Sequence, residues 1–268
     1  MNNKSRILIF TDLDGTILHR DTFNFDIVKD YILSLLSKGI YIIPNSSKTE
    51  IEITKFNEEL GSELPYIAEN GSIIHGLDLL NTNFPNKIIL SREKEELHKI
   101  FNEKVPDELK SKCIQISKMN KKEQEEIFGQ KNDKLKNALK RKYTLPFLFK
   151  GNKNEKNKLL KILSSSSLTL QEGGRVLNLC DNINKVKSMN KVIKILKKTE
   201  NKIKTIAVGD NFNDLDMLRN SDIPCLVFND KFKLDQINIK NLIISNKPSP
   251  EGWSDVIKKA LAKLDYNV

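Results

Sequence analysis

The sequence predicts an α/β fold, a doubly wound parallel β-sheet flanked by helices, with a second domain inserted into it. The first observation is that apolar strands alternate with helices at both ends of the chain. The second is that this alternation is lost between residues 85 and 184, where lysine and asparagine dominate. We therefore expect a discontinuous core domain of residues 1–84 and 185–268, and an inserted domain of residues 85–184.

The first part of the core begins with a continuous apolar run at Arg6–Phe10, which is typical of a buried strand in a parallel sheet. A helix follows and is expected to end at Gly39, before a second buried strand at Ile40–Ile43. Another helix is expected to end at Gly61. The pair Asn70-Gly71 then predicts the tight turn of a β-hairpin.

After the insertion, the sequence resumes with a helix, a strand, a short helix and two further strands, which we predict at Val186–Lys198, Thr205–Val208, Asn213–Arg219, Ile223–Phe228 and Leu242–Ile244. The last helix has an apolar stripe that begins at Trp253 and ends at Leu264. A stripe at helical spacing predicts packing against the core rather than a cofactor or partner site.

The overall composition, 38% hydrophobic and 30% charged residues, is that of an ordinary globular protein. No apolar segment approaches the length of a transmembrane helix or a signal-peptide core. Cys113, Cys180 and Cys225 are odd in number and widely spaced, which argues against a disulfide framework or a zinc site. We therefore expect a soluble, cytoplasmic protein with no membrane partner, as a monomer or a dimer.

The formal net charge of +10 raises the question of nucleic-acid binding. Lysines are concentrated between Lys110 and Lys161, but most alternate with Glu and Asn, as on solvated helix faces. Aromatic residues are not interleaved with them in a way that suggests base stacking. We expect no nucleic-acid partner. The alternative functional interpretation is that the positive field speeds the arrival of an anionic substrate.

Two carboxylates follow the first predicted strand directly, in the run Asp12-Leu13-Asp14-Gly15-Thr16. In open α/β sheets, ligands bind at the carboxyl ends of the strands, and Gly15 permits a tight backbone path there. One carboxylate can act as the nucleophile and the other as the general acid/base, which predicts catalytic roles for Asp12 and Asp14. A calcium loop or a simple turn is the competing interpretation, but the further ligands of an EF-hand loop are missing.

A second acidic segment, Gly209–Asp214, follows the predicted strand Thr205–Val208. Asp210 can coordinate Mg²⁺, which prefers carboxylates, carbonyls, water and phosphate oxygens. Asp214 lies one helical turn later and can hold a bound water or orient the site. A helix cap alone would need only one Asp or Asn, so the surplus of acidic groups predicts a metal site.

Together the two acidic segments resemble motifs one and four of the haloacid dehalogenase superfamily of phosphotransferases. The resemblance implies a Rossmann-like core with an inserted α+β cap domain, with Asp12 as nucleophile and Asp14 as the acid that protonates the leaving group. It also implies a Mg²⁺ site made by Asp12, the backbone carbonyl of Asp14, and Asp210, to which we add Asp214 as a further candidate metal residue.

The same resemblance assigns phosphate binding to Ser46 in motif two, with Ser47 beside it, although helix capping would suit both serines equally. Motif three is a lysine that opens the helix before motif four. Lys185 matches best, but the usual following glycine is missing, so Lys187 is a competitor. Asn213, within motif four, is a further candidate for phosphate binding.

Further segments resemble the mannosyl-3-phosphoglycerate phosphatase family within this superfamily, namely Ile43–Thr49, Glu69–Gly71, Glu172–Arg175 and Pro250–Trp253. The implied substrate is a phosphorylated sugar-glycerate, and the implied product is mannosylglycerate, a compatible solute. Gly174 would let the backbone approach the ligand, and Arg175 could bind its carboxylate. The competing interpretation is a Gly-Gly turn followed by a surface arginine.

Several other functions stay open on the sequence. Glucosyl-3-phosphoglycerate is the nearest rival substrate, because it differs from the mannosyl compound only in sugar stereochemistry. Another sugar phosphate, such as sucrose phosphate, is a second rival. A phosphomutase or a non-catalytic sugar-phosphate binding module would belong to different functional classes.

Overall fold

The computed structural model describes residues 5–172, 176–200, 202–230 and 237–266. The strands are β1 (Arg6–Thr11), β2 (Tyr41–Pro44), β3 (Tyr66–Ala68), β4 (Ile73–His75), β5 (Lys87–Ile89), β6 (Cys113–Gln115), β7 (Leu145–Phe149), β8 (Leu168–Glu172), β9 (Leu177–Asp181), β10 (Ile203–Gly209), β11 (Ile223–Leu226) and β12 (Ile243–Ile244). The helices are α1 (Asp26–Ser37), α2 (Glu50–Leu60), α3 (Lys94–Lys104), α4 (Asp107–Lys110), α5 (Lys121–Phe128), α6 (Asn132–Leu139), α7 (Lys153–Ser164), α8 (Lys185–Leu196), α9 (Leu215–Arg219) and α10 (Glu251–Ala262).

The core is a parallel sheet in the order β12-β11-β10-β1-β2. Along β1, Ile7 and Ile9 point to one face and Leu8 and Phe10 to the other, because successive side chains of a strand alternate. The first face is covered by α1 and α10, and the second by α8 and α9. Both faces are therefore apolar, which is why β1 reads as an unbroken hydrophobic run. The predicted doubly wound α/β fold is confirmed.

Helix α2 begins and ends as its sequence directs. Thr49 is its N-cap and accepts a hydrogen bond from the backbone N–H of Glu52, whose side chain accepts one back from the Thr49 N–H. Gly61 closes the helix in the left-handed conformation, with φ of 78°. The capping interpretation of Ser46 and Ser47 is therefore wrong, because Thr49 performs that role.

Besides the core sheet, the described residues form a three-stranded antiparallel sheet, β3-β4-β5, and a four-stranded antiparallel sheet in the order β6-β7-β9-β8, which lies within the predicted insertion. One face of this sheet packs on α3 and α7 through an apolar cluster. At the base of the segment, the Arg92 guanidinium and its backbone N–H both bind the Asp181 carboxylate. Strand β5 lies inside the predicted insertion but pairs with β4. The division at residues 84 and 184 stays a prediction, and we propose that the crossing points lie at Arg92 and Asp181.

The predicted hairpin at Asn70-Gly71 is present as the antiparallel pair β3–β4. Its turn contacts the start of α8, since the Ser188 hydroxyl donates to the Gly71 carbonyl oxygen at 2.6 Å. Gly71 has φ of 102°, and a Cβ atom there would collide with the backbone carbonyl of Asn184. The turn and the α8 N-terminus are thus packed backbone to backbone.

We expect Gly71→Ala to lower the free energy of unfolding by about 2–4 kcal/mol, because it combines a strained φ with a backbone collision. Gly61→Ala is the matched control: its φ is also positive, at 78°, but nothing lies within 4 Å of the added Cβ. That variant should lose only about 1 kcal/mol. Urea denaturation of both variants measures the difference, and equal losses would contradict the close approach of Gly71 to α8.

Candidate active site

The candidate site lies where the carboxyl ends of three neighbouring strands meet. Asp12 directly follows β1, Asp210 directly follows β10, and Ser46 lies two residues beyond β2. The backbone N–H of Asp12 donates to Val208 of β10 at 2.9 Å, which holds the two strand ends together. Strand β1 lies between β2, the next strand along the chain, and β10 on its other side. The strand order therefore reverses at β1, and α/β sheets bind ligands at such a topological switch point.

Lys185 lies at the centre of this site. Its Nζ is 2.7 Å from Oδ1 of Asp12 and 2.7 Å from Oδ1 of Asp214, and only 3% of the side chain is exposed. Burial opposes its positive charge, but the two carboxylates outweigh burial and raise the pKa of Lys185. Asn45 supports this position by donating to the Lys185 carbonyl oxygen. Lys185 therefore stays charged beside the predicted nucleophile.

Lys187 points elsewhere. Its Nζ donates to the carbonyl and side-chain oxygens of Asn182, at 2.6 and 2.8 Å, and the residue is exposed. Its backbone N–H is also used, because it donates to the N-cap residue Asn184. Of the two candidate motif-three lysines, the geometry favours Lys185.

Within the described residues, Asp12, Asp210 and Asp214 form a buried acidic cluster in which one oxygen from each lies within 4.8 Å of the others. Burial and the neighbouring carboxylates raise the pKa of Asp210 well above its usual range, and burial also raises the pKa of Asp214. A divalent cation would relieve this repulsion, and carboxylate oxygens are ligands that Mg²⁺ prefers. The donor set therefore fits Mg²⁺.

The three carboxylates are not equivalent. Asp214 uses Oδ1 for Lys185 and Oδ2 for the backbone N–H groups of Asp210 and Asn211, so it orients the site. Asp210 accepts a hydrogen bond from Thr16 at 3.3 Å and pairs with Arg20. Arg20 is a site residue that the sequence analysis missed, since a single arginine in a polar loop carries no signal.

Asp14 lies outside the acidic cluster. Its Oδ1 is 2.9 Å from Nζ of the buried Lys48, although the Asp14 side chain as a whole is 39% exposed. Burial of the carboxyl oxygen, opposed by Lys48, raises the pKa of Asp14. Lys48 is held in turn by Glu52 at 3.3 Å. The predicted metal ligation by the Asp14 backbone carbonyl stays a prediction.

The two serines differ in position. Ser46 is buried, and its Oγ accepts a hydrogen bond from the Lys48 backbone N–H at 3.3 Å. Ser47 lines a cavity beside Asp12 and Asp14. Phosphate binding by either serine stays a prediction.

The remaining predicted binding residues divide into two groups. Asn213 lines the same cavity, and its buried Oδ1 accepts no hydrogen bond from a described residue. Gly174 and Arg175 lie outside the described residues.

Three further polar residues line the cavity and were missed by the sequence analysis; all lie within the predicted insertion, namely Gln130, Arg141 and Asn178. Arg141 is 6% exposed and donates to the Ser47 carbonyl oxygen and the Thr144 hydroxyl, both at 3.0 Å. In a segment rich in lysine and asparagine, single polar residues of this kind cannot be separated from surface residues by sequence.

Two motif residues prove to support the site indirectly. The indole N–H of Trp253 donates to Thr11 Oγ1 at 3.1 Å, and that hydroxyl donates to the Asp12 carbonyl oxygen at 2.8 Å. Trp253 thus packs in the core, as its apolar stripe predicts, and also fixes the backbone at Asp12. Glu69 is buried and accepts hydrogen bonds from the backbone N–H groups of residues 142 and 143 and from the Thr144 hydroxyl, so it joins the turn after β3 to the segment before β7.

A family model of the haloacid dehalogenase-like hydrolases matches residues 9–247 of the chain. The chain belongs to this family. The resemblance predicted from the two acidic segments is therefore confirmed, as is the prediction of an enzyme. The individual roles of the residues in this haloacid dehalogenase-like hydrolase stay predictions.

Two curated relatives match this hydrolase over nearly their whole length. One, from Persephonella marina, is 31% identical over 97% of this chain and 98% of its own. The other, from Methanococcoides burtonii, is 28% identical over 96% and 97%. Each is named glucosyl-3-phosphoglycerate/mannosyl-3-phosphoglycerate phosphatase.

A solved structure shares the fold at much lower sequence identity. It is a phosphatase of the haloalkanoate enzyme superfamily from Bacteroides thetaiotaomicron, with a TM-score of 0.70 and 14% identity, over 98% of this chain and 97% of its own. This likeness supports the α/β fold of the hydrolase. In the part of the chain that the structure describes, no helix has both the length and the apolar character needed to cross a membrane.

Proposed function

We propose that this hydrolase is a Mg²⁺-dependent phosphomonoesterase that forms an aspartyl-phosphate on Asp12. The observation that carries the proposal is the buried Lys185 ammonium between Asp12 and Asp214, with Asp210 beside them. A carboxylate at a ligand-binding strand end, next to a fixed positive charge, is suited to attack phosphorus while the charge on the phosphoryl oxygens is neutralised.

In the first step, the Asp12 carboxylate attacks phosphorus and the ester oxygen leaves. Asp14 gives its proton to that leaving oxygen, and burial raises the pKa of Asp14, which is the direction that a general acid needs. Lys48, 2.9 Å away, holds the Asp14 carboxyl in position. When bound at Asp12 and Asp210, Mg²⁺ would supply positive charge to the phosphoryl oxygens.

In the second step, Asp14 takes a proton from a water molecule, and that water attacks the phosphorus of the aspartyl-phosphate. Phosphate leaves and the Asp12 carboxylate is restored. The same residue therefore acts first as acid and then as base. The hydroxyl groups of Ser46 and Ser47 and the amide Nδ2 of Asn213 are proposed to donate hydrogen bonds to the phosphoryl oxygens during both steps.

The proposed substrate is mannosyl-3-phosphoglycerate, which yields mannosylglycerate and phosphate, and the enzyme is proposed to act in the cytoplasm. The names of the two curated relatives support this substrate class. They also favour glucosyl-3-phosphoglycerate as a second substrate, because each name includes both compounds. We propose that the segment between the crossing points Arg92 and Asp181 forms a cap over the core. In this cap, Gly174 is proposed to let the backbone approach the ligand, and Arg175 to bind the glycerate carboxylate.

The test is phosphate release from a panel of phosphoesters, with Mg²⁺ and with EDTA. The panel contains mannosyl- and glucosyl-3-phosphoglycerate, sucrose-6-phosphate, mannose-6-phosphate and 3-phosphoglycerate. We expect kcat/KM for the two glycosyl-phosphoglycerates to exceed the other values by about 100-fold or more, because only they combine a glycosyl group, a phosphate and a carboxylate in one molecule. EDTA should remove the activity, and added Mg²⁺ should restore it.

Other outcomes separate the alternatives. Equal activity on all sugar phosphates would keep the chemistry and contradict the substrate. Transfer of the phosphoryl group to a sugar, without release of phosphate, would indicate a phosphomutase. Binding without either reaction would indicate a sugar-phosphate binding module, and full activity in EDTA would contradict the role of Mg²⁺.

A further inference from the structure

Two buried side-chain amides of the inserted segment line the cavity beside Asp12 and Asp14. Gln130 follows Gly129, which ends α5 in the left-handed conformation, and Asn178 lies in β9. Only 8% of Gln130 and 2% of Asn178 is exposed. Both amides are therefore held inside the protein, on the wall of the cavity that the insertion supplies.

Each amide has an acceptor oxygen without a donor. Gln130 Oε1 and Asn178 Oδ1 are buried, and neither accepts a hydrogen bond from any described residue. An unpaired buried acceptor destabilises the free protein, and native structures contain few of them. Two such oxygens on one cavity wall indicate that a ligand supplies the missing donors.

The fold itself does not require an amide at position 178. Side chains alternate between the two faces of a strand, and the neighbours Leu177 and Leu179 both pack in the apolar cluster on α3 and α7. Asn178 therefore points to the opposite face of the sheet, where it lines the cavity. An apolar residue at this buried position would fill the space without leaving an oxygen unpaired.

The free oxygens restrict the chemistry of the group that binds there. An acceptor binds only a donor, and ionised phosphate and carboxylate groups carry none. Hydroxyl groups do donate, and a sugar carries several. Phe128 and Val176, both half-buried, line the same cavity and offer apolar surface for the carbon–hydrogen face of a sugar ring.

We propose that Gln130 and Asn178 determine specificity by binding hydroxyl groups of the glycosyl part of the substrate. This inference rests on the proposed function, since it assigns one part of that substrate to the far wall of the same cavity. The phosphate then lies at Asp12 and Lys185, and the glycosyl group lies on the side of the inserted segment.

The test measures binding of ligands that are not turned over. Gln130→Met and Asn178→Leu replace each amide by an apolar side chain of similar size. In the presence of Mg²⁺, calorimetry gives the Kd of mannosylglycerate, glucosylglycerate and inorganic phosphate. For the glycosylglycerate that the wild type binds more tightly, we expect each variant to raise Kd roughly three- to tenfold, and the double variant to raise it more than about tenfold.

Two further readouts separate ligand binding from damage to the fold. The Kd of inorganic phosphate should change by less than about twofold, because phosphate is expected at Asp12 and Lys185, whose described hydrogen bonds involve neither amide. Asn178→Leu should unfold at the wild-type temperature or above it, because an unpaired buried acceptor is removed. Gln130→Met also loses the hydrogen bond that the Gln130 amide donates to Glu52 at 3.5 Å, so its unfolding temperature is not used as a criterion. Asn57→Leu is a matched control: Asn57 Oδ1 is also buried without a donor, but the residue does not line this cavity. Its Kd values should equal those of the wild type.

Several outcomes would overturn the proposal. One is equal weakening of glycosylglycerate and phosphate binding. A second is a lower unfolding temperature in Asn178→Leu, and a third is a wild type that binds phosphate but neither glycosylglycerate. If the wild type hydrolyses glycosyl-phosphoglycerates but the variants bind glycosylglycerate normally, this inference is refuted and the proposed function stands. If the variants show the expected Kd changes but the wild type releases no phosphate from the panel, only the proposed reaction is refuted.

Discussion

Asp12→Asn is expected to lower phosphate release by at least about 10⁴-fold, because an amide cannot form the aspartyl-phosphate that divides the reaction into two steps. The variant should still fold, since Lys185 keeps its second carboxylate partner, Asp214, at 2.7 Å. Initial rates of phosphate release with Mg²⁺ measure the loss. Acid quenching of the wild type during turnover should also trap phosphate on the peptide that contains Asp12, and the variant should trap none.

Asp216→Asn is the matched control for this substitution. Asp216 is an exposed residue of α9 whose carboxylate pairs only with the neighbouring Arg219 among the ion pairs of the described residues. Its activity should stay within about twofold of the wild type, because exposed ion pairs contribute little. If Asp12→Asn kept more than about a tenth of the wild-type rate, direct attack by water would replace the covalent mechanism.

The core fold and the central carboxylates were predictable because local sequence determines them. The apolar run of β1 reports burial on both faces, and the acidic runs that follow β1 and β10 report the edge of the sheet where a ligand binds. Asp12 and Asp210 lie nearly 200 residues apart in the chain, yet each is placed by the strand immediately before it. Their meeting then follows from the pairing of β1 with β10.

Other site residues could not be predicted, because their positions depend on packing between distant segments. Gln130, Arg141 and Asn178 reach the cavity only when the inserted segment folds against the core. In their local sequence they resemble the many solvated polar residues around them. The contact of Lys48 with Asp14 depends in the same way on where α2 begins relative to the loop after β1.

The ambiguity between Lys185 and Lys187 shows the same limit at short range. The two residues are of one type and both lie in the first turn of α8, so composition and periodicity treat them alike. The difference comes from the direction of each side chain on the helix. One lies against Asp12 and Asp214, and the other lies against Asn182 in solvent.

This difference predicts a large effect for the substitution Lys185→Met and a small effect for Lys187→Met. Lys185→Met leaves two buried carboxylates without their shared cation, so we expect it to lower the free energy of unfolding by about 3–5 kcal/mol in EDTA. Phosphate release should fall by about 100- to 1,000-fold, because the fixed positive charge next to the phosphoryl oxygens is lost. Lys187→Met should change stability by less than about 0.5 kcal/mol and leave activity within about twofold.

Urea denaturation with and without Mg²⁺ sharpens the test of Lys185. A cation bound at Asp12 and Asp210 would offset part of the charge that the substitution leaves unpaired, so the loss of stability should be smaller with Mg²⁺ than in EDTA. Lys187→Met should show the same Mg²⁺ effect as the wild type. A larger loss of activity in Lys187→Met than in Lys185→Met would transfer the phosphate-neutralising role to Lys187. If Lys185→Met lost the same stability with Mg²⁺ as in EDTA, the result would contradict an electrostatic interaction between Lys185 and the metal site.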